Sequence, residues 1–222
     1  MLLQLLFQNP ALFIILASSL VVSLSVHEFA HAFTAYKLGD PTAKYLGRVT
    51  LNPLKHLDPV GTLLLLIAGF GWGKPVPFNP ENLQNPKRDG AIIAFAGPLS
   101  NILMAVLGAL CIHFFVRNIT NNPVFGGVGE SLAFGGATTL IHSFLYFFVY
   151  FNLILAVFNL IPIHPLDGFK VVLGLLPWHL AHQWVQMEPY GMFILLFLVV
   201  TRSTSLILLP LVDLGLRILG VS

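Results

Sequence analysis

Charge is what this sequence has least of. Only 9% of its 222 residues are Asp, Glu, Lys or Arg while 56% are hydrophobic, where an ordinary soluble domain carries about 25% charged residues. That ratio excludes a water-solvated surface over most of the chain. Cysteine is nearly absent as well. Cys111 stands alone in an apolar run, so intrachain disulfides and a cysteine-rich zinc site are excluded and packing is its expected role. The first apolar stretch lacks a basic lead and continues past Val22 with no small-residue cleavage site, so it reads as a retained membrane helix and not a removed signal. Basic residues are few and dispersed, with a net charge of +2, which leaves no footprint for nucleic acid.

What the chain has in excess is apolar runs near the ~20 residues that cross a bilayer. The expected fold is an all-α polytopic membrane protein, a single membrane-embedded domain over residues 1–222, with spans at about 12–37, 91–116, 140–161 and 190–216. The last block is interrupted by Thr201, Arg202, Ser203, Thr204 and Ser205, so it reads either as one long tilted helix or as a hairpin. Between the first two spans, residues 44–57 read as short strands and turns around Asn52 and Pro53. Val60 to Phe70 is apolar but too short to span, so about 44–73 is expected to be a re-entrant segment, β-like with a short helix. The proline-rich run from Lys74 to Pro80 is an extended connector.

Basic residues set the expected orientation. Lys37, Lys44, Arg48, Lys55, Lys74, Lys87 and Arg88 are seven of the eleven Lys and Arg, and all follow the first span. The positive-inside rule places that loop in the cytoplasm and the N-terminus outside.

Chemistry enters at Val26-His27-Glu28-Phe29-Ala30-His31, an H-E-x-x-H pattern inside the first span. Histidines four residues apart lie about 40° apart around a helix axis, so both imidazoles reach one metal, and the glutamate beside them can handle a reacting water. A chance pattern with polar packing is the competing reading. It does poorly, because an ionisable carboxylate within a span costs roughly 2.5–3.5 kcal/mol and calls for a function or a partner. A catalytic zinc takes three protein ligands and leaves one position open. Between Glu130 and Lys170 the only formal charge is Asp167, just past the end of the third span. His31 lies about 9 Å from Lys37 along the helix, so both counts place Asp167 and the histidines in the cytoplasmic leaflet. His164 is a rival ligand, and a plain turn residue is the alternative role for Asp167.

At these two motifs the chain resembles the site-2 protease family of intramembrane zinc metalloproteases. That family pairs H-E-x-x-H with a later N-x-x-P-x-x-P-x-D-G stretch, here Asn159 to Gly168, and the resemblance runs from about Ser19 to Tyr190. It implies one zinc per chain held by His27, His31 and Asp167, with Glu28 as base and proton shuttle. It also implies that Asn159 is a polar group near the substrate carbonyl. Ala96 to Asn101 resembles the family's small-residue motif, which reads here as helix packing with Asn101 as interhelical glue. Asn152 and Asn159 share a helical face and could line a hydrated cleft, though for Asn152 an interhelical bond serves equally well.

The expected activity is hydrolysis of peptide bonds in single-pass or short membrane-anchored proteins within the bilayer. An extended substrate is expected to pair with residues 44–51. A membrane metal-ion transporter, which also uses intramembrane His and Asp, is the alternative. His56, His113 and His142 read as loop or packing residues, and His179 with His182 as part of an interfacial helix beside Trp178 and Trp184.

Overall fold

The computed structural model describes residues 2–68, 71–116 and 132–221. Residues 69 and 70 of the expected re-entrant segment lie outside the described residues.

The chain begins with α1 (Leu2–Gln8) and turns into α2 (Pro10–Lys37), 28 residues long. The start of α2 is built into the sequence. Asn9 accepts a hydrogen bond from Leu12 N at 3.1 Å, and Pro10 fills the first helical position, where a missing N–H costs nothing. The helix stops at Gly39, whose φ of +108° suits glycine. Buried Asp40 then gathers bonds from Thr42 N and Oγ1, Asn79 N and Asn82 Nδ2. One carboxylate thus ties the end of α2 to the stretch that precedes the next long helix.

That helix is α5 (Pro86–Cys111), which continues as a π-helical turn, Ile112–Val116. Before it come α3 (Thr42–Tyr45), a 3₁₀ turn (Pro53–Lys55) and α4 (Pro59–Ala68). After it come α6 (Leu132–Asn159), α7 (Asp167–Leu175), α8 (Trp178–Val185), α9 (Glu188–Val200) and α10 (Ser203–Ile218). Among the described residues, three helices are long and apolar enough to cross a membrane: Pro10–Lys37, Pro86–Phe114 and Thr139–Asn159. α8 and α9, bent by 61° at their break, supply up to a fourth.

Helices α2, α5 and α6 pack on one another, and α10 closes against α6. An apolar core joins Ala105 and Ala109 of α5 and Ile112 of the π turn to Val149 and Leu153 of α6 and Val212 and Leu216 of α10. Small residues let the backbones approach. At Gly108 a Cβ would sit 2.8 Å from Val149 Cγ2, so α5 and α6 touch at a point where only glycine fits.

One expectation needs correction. The short strands expected over 44–57 do not form: Lys44 and Tyr45 belong to α3, turns follow, and the only β pairing among the described residues is an isolated Leu57–Gly73 bridge. Side chains take over the polar backbone there, because Arg48 donates to Lys74 O and His56 Nε2 to Thr50 O. Pairing of a substrate strand with 44–51 falls with it. The block 190–216, which the sequence left open as one helix or a hairpin, is divided into two helices at Arg202, whose φ is +59°, where the Thr201 and Ser205 hydroxyls donate to backbone carbonyls nearby.

Candidate metal centre

Every fourth residue of α2 from Ser19 is polar and buried: Ser19, Ser23, His27 and His31. At that spacing the four form one stripe, and α5 and α6 cover it. Ser23 Oγ donates to Ser19 O at 2.7 Å and accepts from Asn152 Nδ2 at 2.8 Å. Asn101 Nδ2 donates to Asn152 Oδ1 at 2.8 Å and to Ser23 O at 3.3 Å.

This network fixes protons by elimination. Asn152 Nδ2 faces the carbonyl of Phe148 at 2.8 Å, which can only accept, so Asn152 turns its Oδ1 to Asn101. Asn101 must then donate from Nδ2 and present Oδ1 to His27 Nδ1, 2.5 Å away. An amide oxygen only accepts, so His27 carries a proton on Nδ1, which in the neutral ring leaves the lone pair on Nε2. The same holds for His31, whose Nδ1 lies 2.7 Å from Ile93 O. In the neutral rings both Nε2 atoms are therefore acceptors, aimed inward by hydrogen bonds behind them.

They converge with a third acceptor. His27 Nε2 is 2.9 Å from His31 Nε2, and Asp167 Oδ2 is 3.1 Å from the first and 3.2 Å from the second. Three lone-pair donors cannot stand so close without positive charge among them, either a proton or a metal cation. Ligands of a tetrahedral zinc with bonds of about 2.0–2.1 Å stand about 3.3 Å apart, so this near-equilateral triangle is slightly tighter than a zinc site and of the right chemistry. Two imidazoles and one carboxylate leave a fourth position open, as in catalytic zinc sites. The residues fit zinc.

Two glycines make the convergence possible. A Cβ on Gly97 of α5 would lie 2.5 Å from His31 Cε1 and 2.6 Å from His27 Cε1. A Cβ on Gly168 would lie 2.5 Å from Ile161 O, so glycine there lets the first turn of α7 fold under the end of α6 and deliver Asp167. The expected reading of Ala96 to Asn101 as packing was therefore incomplete: Gly97 makes room for the imidazoles and Asn101 orients one of them.

Glu28 is 9% exposed, and among the described residues its Oε2 has no hydrogen-bond partner. Asn159 is half-buried and not part of the convergence; its Nδ2 donates to Leu155 O, one turn back, at 2.9 Å. Asn152 is interhelical glue, not the lining of a cleft. The rival His164 faces away, its Nε2 3.3 Å from Glu188 Oε1. His56, expected in a loop, is wholly buried, His113 Nε2 donates to Leu219 O, and His142, His179 and His182 are exposed.

Paired histidines one helical turn apart, a carboxylate from a later helix and a buried glutamate, all set among apolar helices, define the class of membrane-embedded metallopeptidases. Residues 15–201 match peptidase family M50, and the chain belongs to that family, the site-2 proteases. It is 40% identical over 200 residues to YwhC of Bacillus subtilis (strain 168), a candidate zinc metalloprotease by name, covering 90% of this chain and 86% of that protein. Rip2 of Mycolicibacterium smegmatis, similarly designated, is 29% identical over 199 residues, 87% of this chain and 69% of its own length. A zinc metalloprotease of Methanocaldococcus jannaschii is 25% identical over 168 residues, covering 76% of this chain and 36% of that one. No solved structure matches the chain. The protein is a multi-pass intramembrane zinc metalloprotease acting on protein substrates in the membrane, and the transporter reading is set aside.

Proposed function

We propose that His27, His31 and Asp167 hold the zinc and that Glu28 is the base, in a single membrane-embedded unit over residues 1–222. The observation that supports this most strongly is the triangle of acceptors at 2.9, 3.1 and 3.2 Å, with both histidine tautomers fixed from behind. Zinc, when bound there, supplies the Lewis acidity that makes water nucleophilic at neutral pH and polarises the scissile carbonyl. Glu28 takes the proton of the attacking water and returns it to the amide nitrogen as the peptide bond breaks. Asn159 serves substrate contact near the carbonyl through its second Nδ2–H or its Oδ1, one Nδ2–H being donated to Leu155 O.

The preferred substrates are single-pass or short membrane-anchored proteins, whose helix unwinds locally so that a peptide bond reaches the site. The N-terminus lies outside and the site towards the cytoplasm, supported by the basic residues that follow α2. α4, with ten residues, is too short to cross and dips back as a re-entrant helix, and the non-helical backbone beside it is tolerated at that depth where it is buried in protein or lines a water-filled cavity.

The test is cleavage of a tagged single-span protein by purified enzyme in detergent, with zinc quantified for wild type, Glu28→Gln and Asp167→Asn. Loss of cleavage with zinc retained in the first, and loss of both in the second, is the expected result. Cleavage by Glu28→Gln at the wild-type rate would remove Glu28 from the reaction.

A further inference from the structure

Arg48 is 4% exposed, although it lies outside the spanning helices and its neighbours Tyr45 and Leu46 are open to the surroundings. A buried guanidinium normally has a carboxylate beside it, yet among the described residues none lies within ion-pair distance of Arg48. A terminal nitrogen donates to Lys74 O, and Nε has no partner among the described residues. Burial lowers its basicity from the ordinary value, and the charge that opposes this is the Glu28 carboxylate.

The chain path shows why Glu28 is near. Arg48 N is fixed to Ala43 O at 2.8 Å, and Lys74, whose carbonyl receives the guanidinium, donates its own N–H to His56 O at 2.8 Å. Gly73 packs so closely on α2 that a Cβ there would stand 3.2 Å from Leu24 Cδ2. Leu24 and Glu28 are four residues apart and share a face of the helix. Arg48 is thereby clamped beside the face that carries Glu28, and two buried groups of opposite charge each keep one atom without a partner, Arg48 Nε and Glu28 Oε2.

We propose that Arg48 is a positioning residue for the base: its buried positive charge draws the free oxygen of Glu28 towards the Lys74 side of α2 and so turns the other carboxylate oxygen to the reacting bond. This rests on the reading of Glu28 as base. The bond to Lys74 O is the anchor, and the charge is what acts on Glu28.

Anchor and charge can be separated. Arg48→Gln retains a donor for Lys74 O and loses the charge, whereas Arg48→Lys retains the charge. Steady-state cleavage of a single-span substrate is measured for both variants beside Glu28→Gln, with zinc content and thermal stability for each. The expected result is a kcat about tenfold lower or more in Arg48→Gln, restored to within about threefold by Arg48→Lys, with KM and zinc unchanged in both. Equal losses in the two variants, or losses that follow lower stability or zinc content, would make Arg48 a structural clamp and overturn the proposal. A raised KM with kcat intact would make it a substrate contact, and also overturn it. Cleavage by Glu28→Gln would refute the base itself, while an inactive Glu28→Gln beside a fully active Arg48→Gln would refute only the role of Arg48.

Discussion

The face of α2 that carries Ser19, Ser23, His27 and His31 differs from the face that carries Leu24 and Glu28. On the first, the hydrogen bonds form a closed chain through Asn101 and Asn152 from Ser23 to His27. On the second, Glu28 Oε2, Arg48 Nε and His56 Nδ1 make up three of the four buried side-chain atoms that lack a partner among the described residues. The contrast matches the roles proposed for the two sides. Metal ligands work best when second bonds fix their tautomer and direction, so satisfaction there is preorganisation. A base must exchange partners during the reaction, and a side chain already saturated with bonds could not. Unsatisfied buried groups cost stability, and on the proposed assignment the free Glu28 Oε2 is what lets the base exchange partners during turnover.

Changes on the open face should alter rate and leave the metal in place. Glu28→Gln has the largest expected effect, a fall in cleavage of about 10²- to 10⁴-fold with zinc still bound, read by product formation and metal analysis. Changes on the closed face should act through the metal. Asn101→Ala removes the acceptor behind His27 and is expected to weaken zinc binding by about 10- to 100-fold, read by competition with a chelator. Gly97→Ala, whose methyl group would occupy the space of both imidazoles, should likewise lower zinc content, while Leu103→Ala, at an exposed position of α5, should not. Asn152→Ala is two bonds from the metal, and its expected cost is about 0.6–1.7 kcal/mol of stability, seen in a denaturation series with zinc affinity little changed.

The smallest effect is expected away from both faces. Burial alone would raise the Asp40 carboxyl, but bonds from Thr42, Asn82 and Asn79 hold it below its ordinary value. A depressed folded-state pKa stabilises above the unfolded value, about 3.9, and that stability is lost as pH falls through the lower folded value. Proteolysis of the 40–82 region should therefore accelerate at acid pH in wild type, and Asp40→Asn should show a flatter dependence on pH.

How far the sequence could be read depended on distance along the chain. His27, Glu28 and His31 declare themselves within five residues, and Asp167 was legible because it is the lone charge in a long apolar stretch. The stripe from Ser19 was also legible, since four polar residues recur at helical spacing, but serines in a membrane helix commonly bond their own backbone and attract little notice. The roles of Asn101 and Gly97 needed three dimensions: both lie about 70 residues beyond His27. Residues 44–57 misled because Val49 and Thr50 favour strands, while the partners that settle the fold there are the side chains of Arg48 and His56. At the C-terminal end, a run of Thr and Ser signalled a break, but not that Arg202 would make it in a left-handed conformation.

The most direct test of the three-donor centre is X-ray absorption at the zinc edge of the purified wild-type protein and of Asp167→Asn. The account predicts two imidazole nitrogens at about 2.0–2.1 Å, with oxygen completing a four-coordinate shell, and loss of zinc or of one oxygen ligand in the variant. A shell with three imidazoles, or one that Asp167→Asn leaves unchanged, would contradict it.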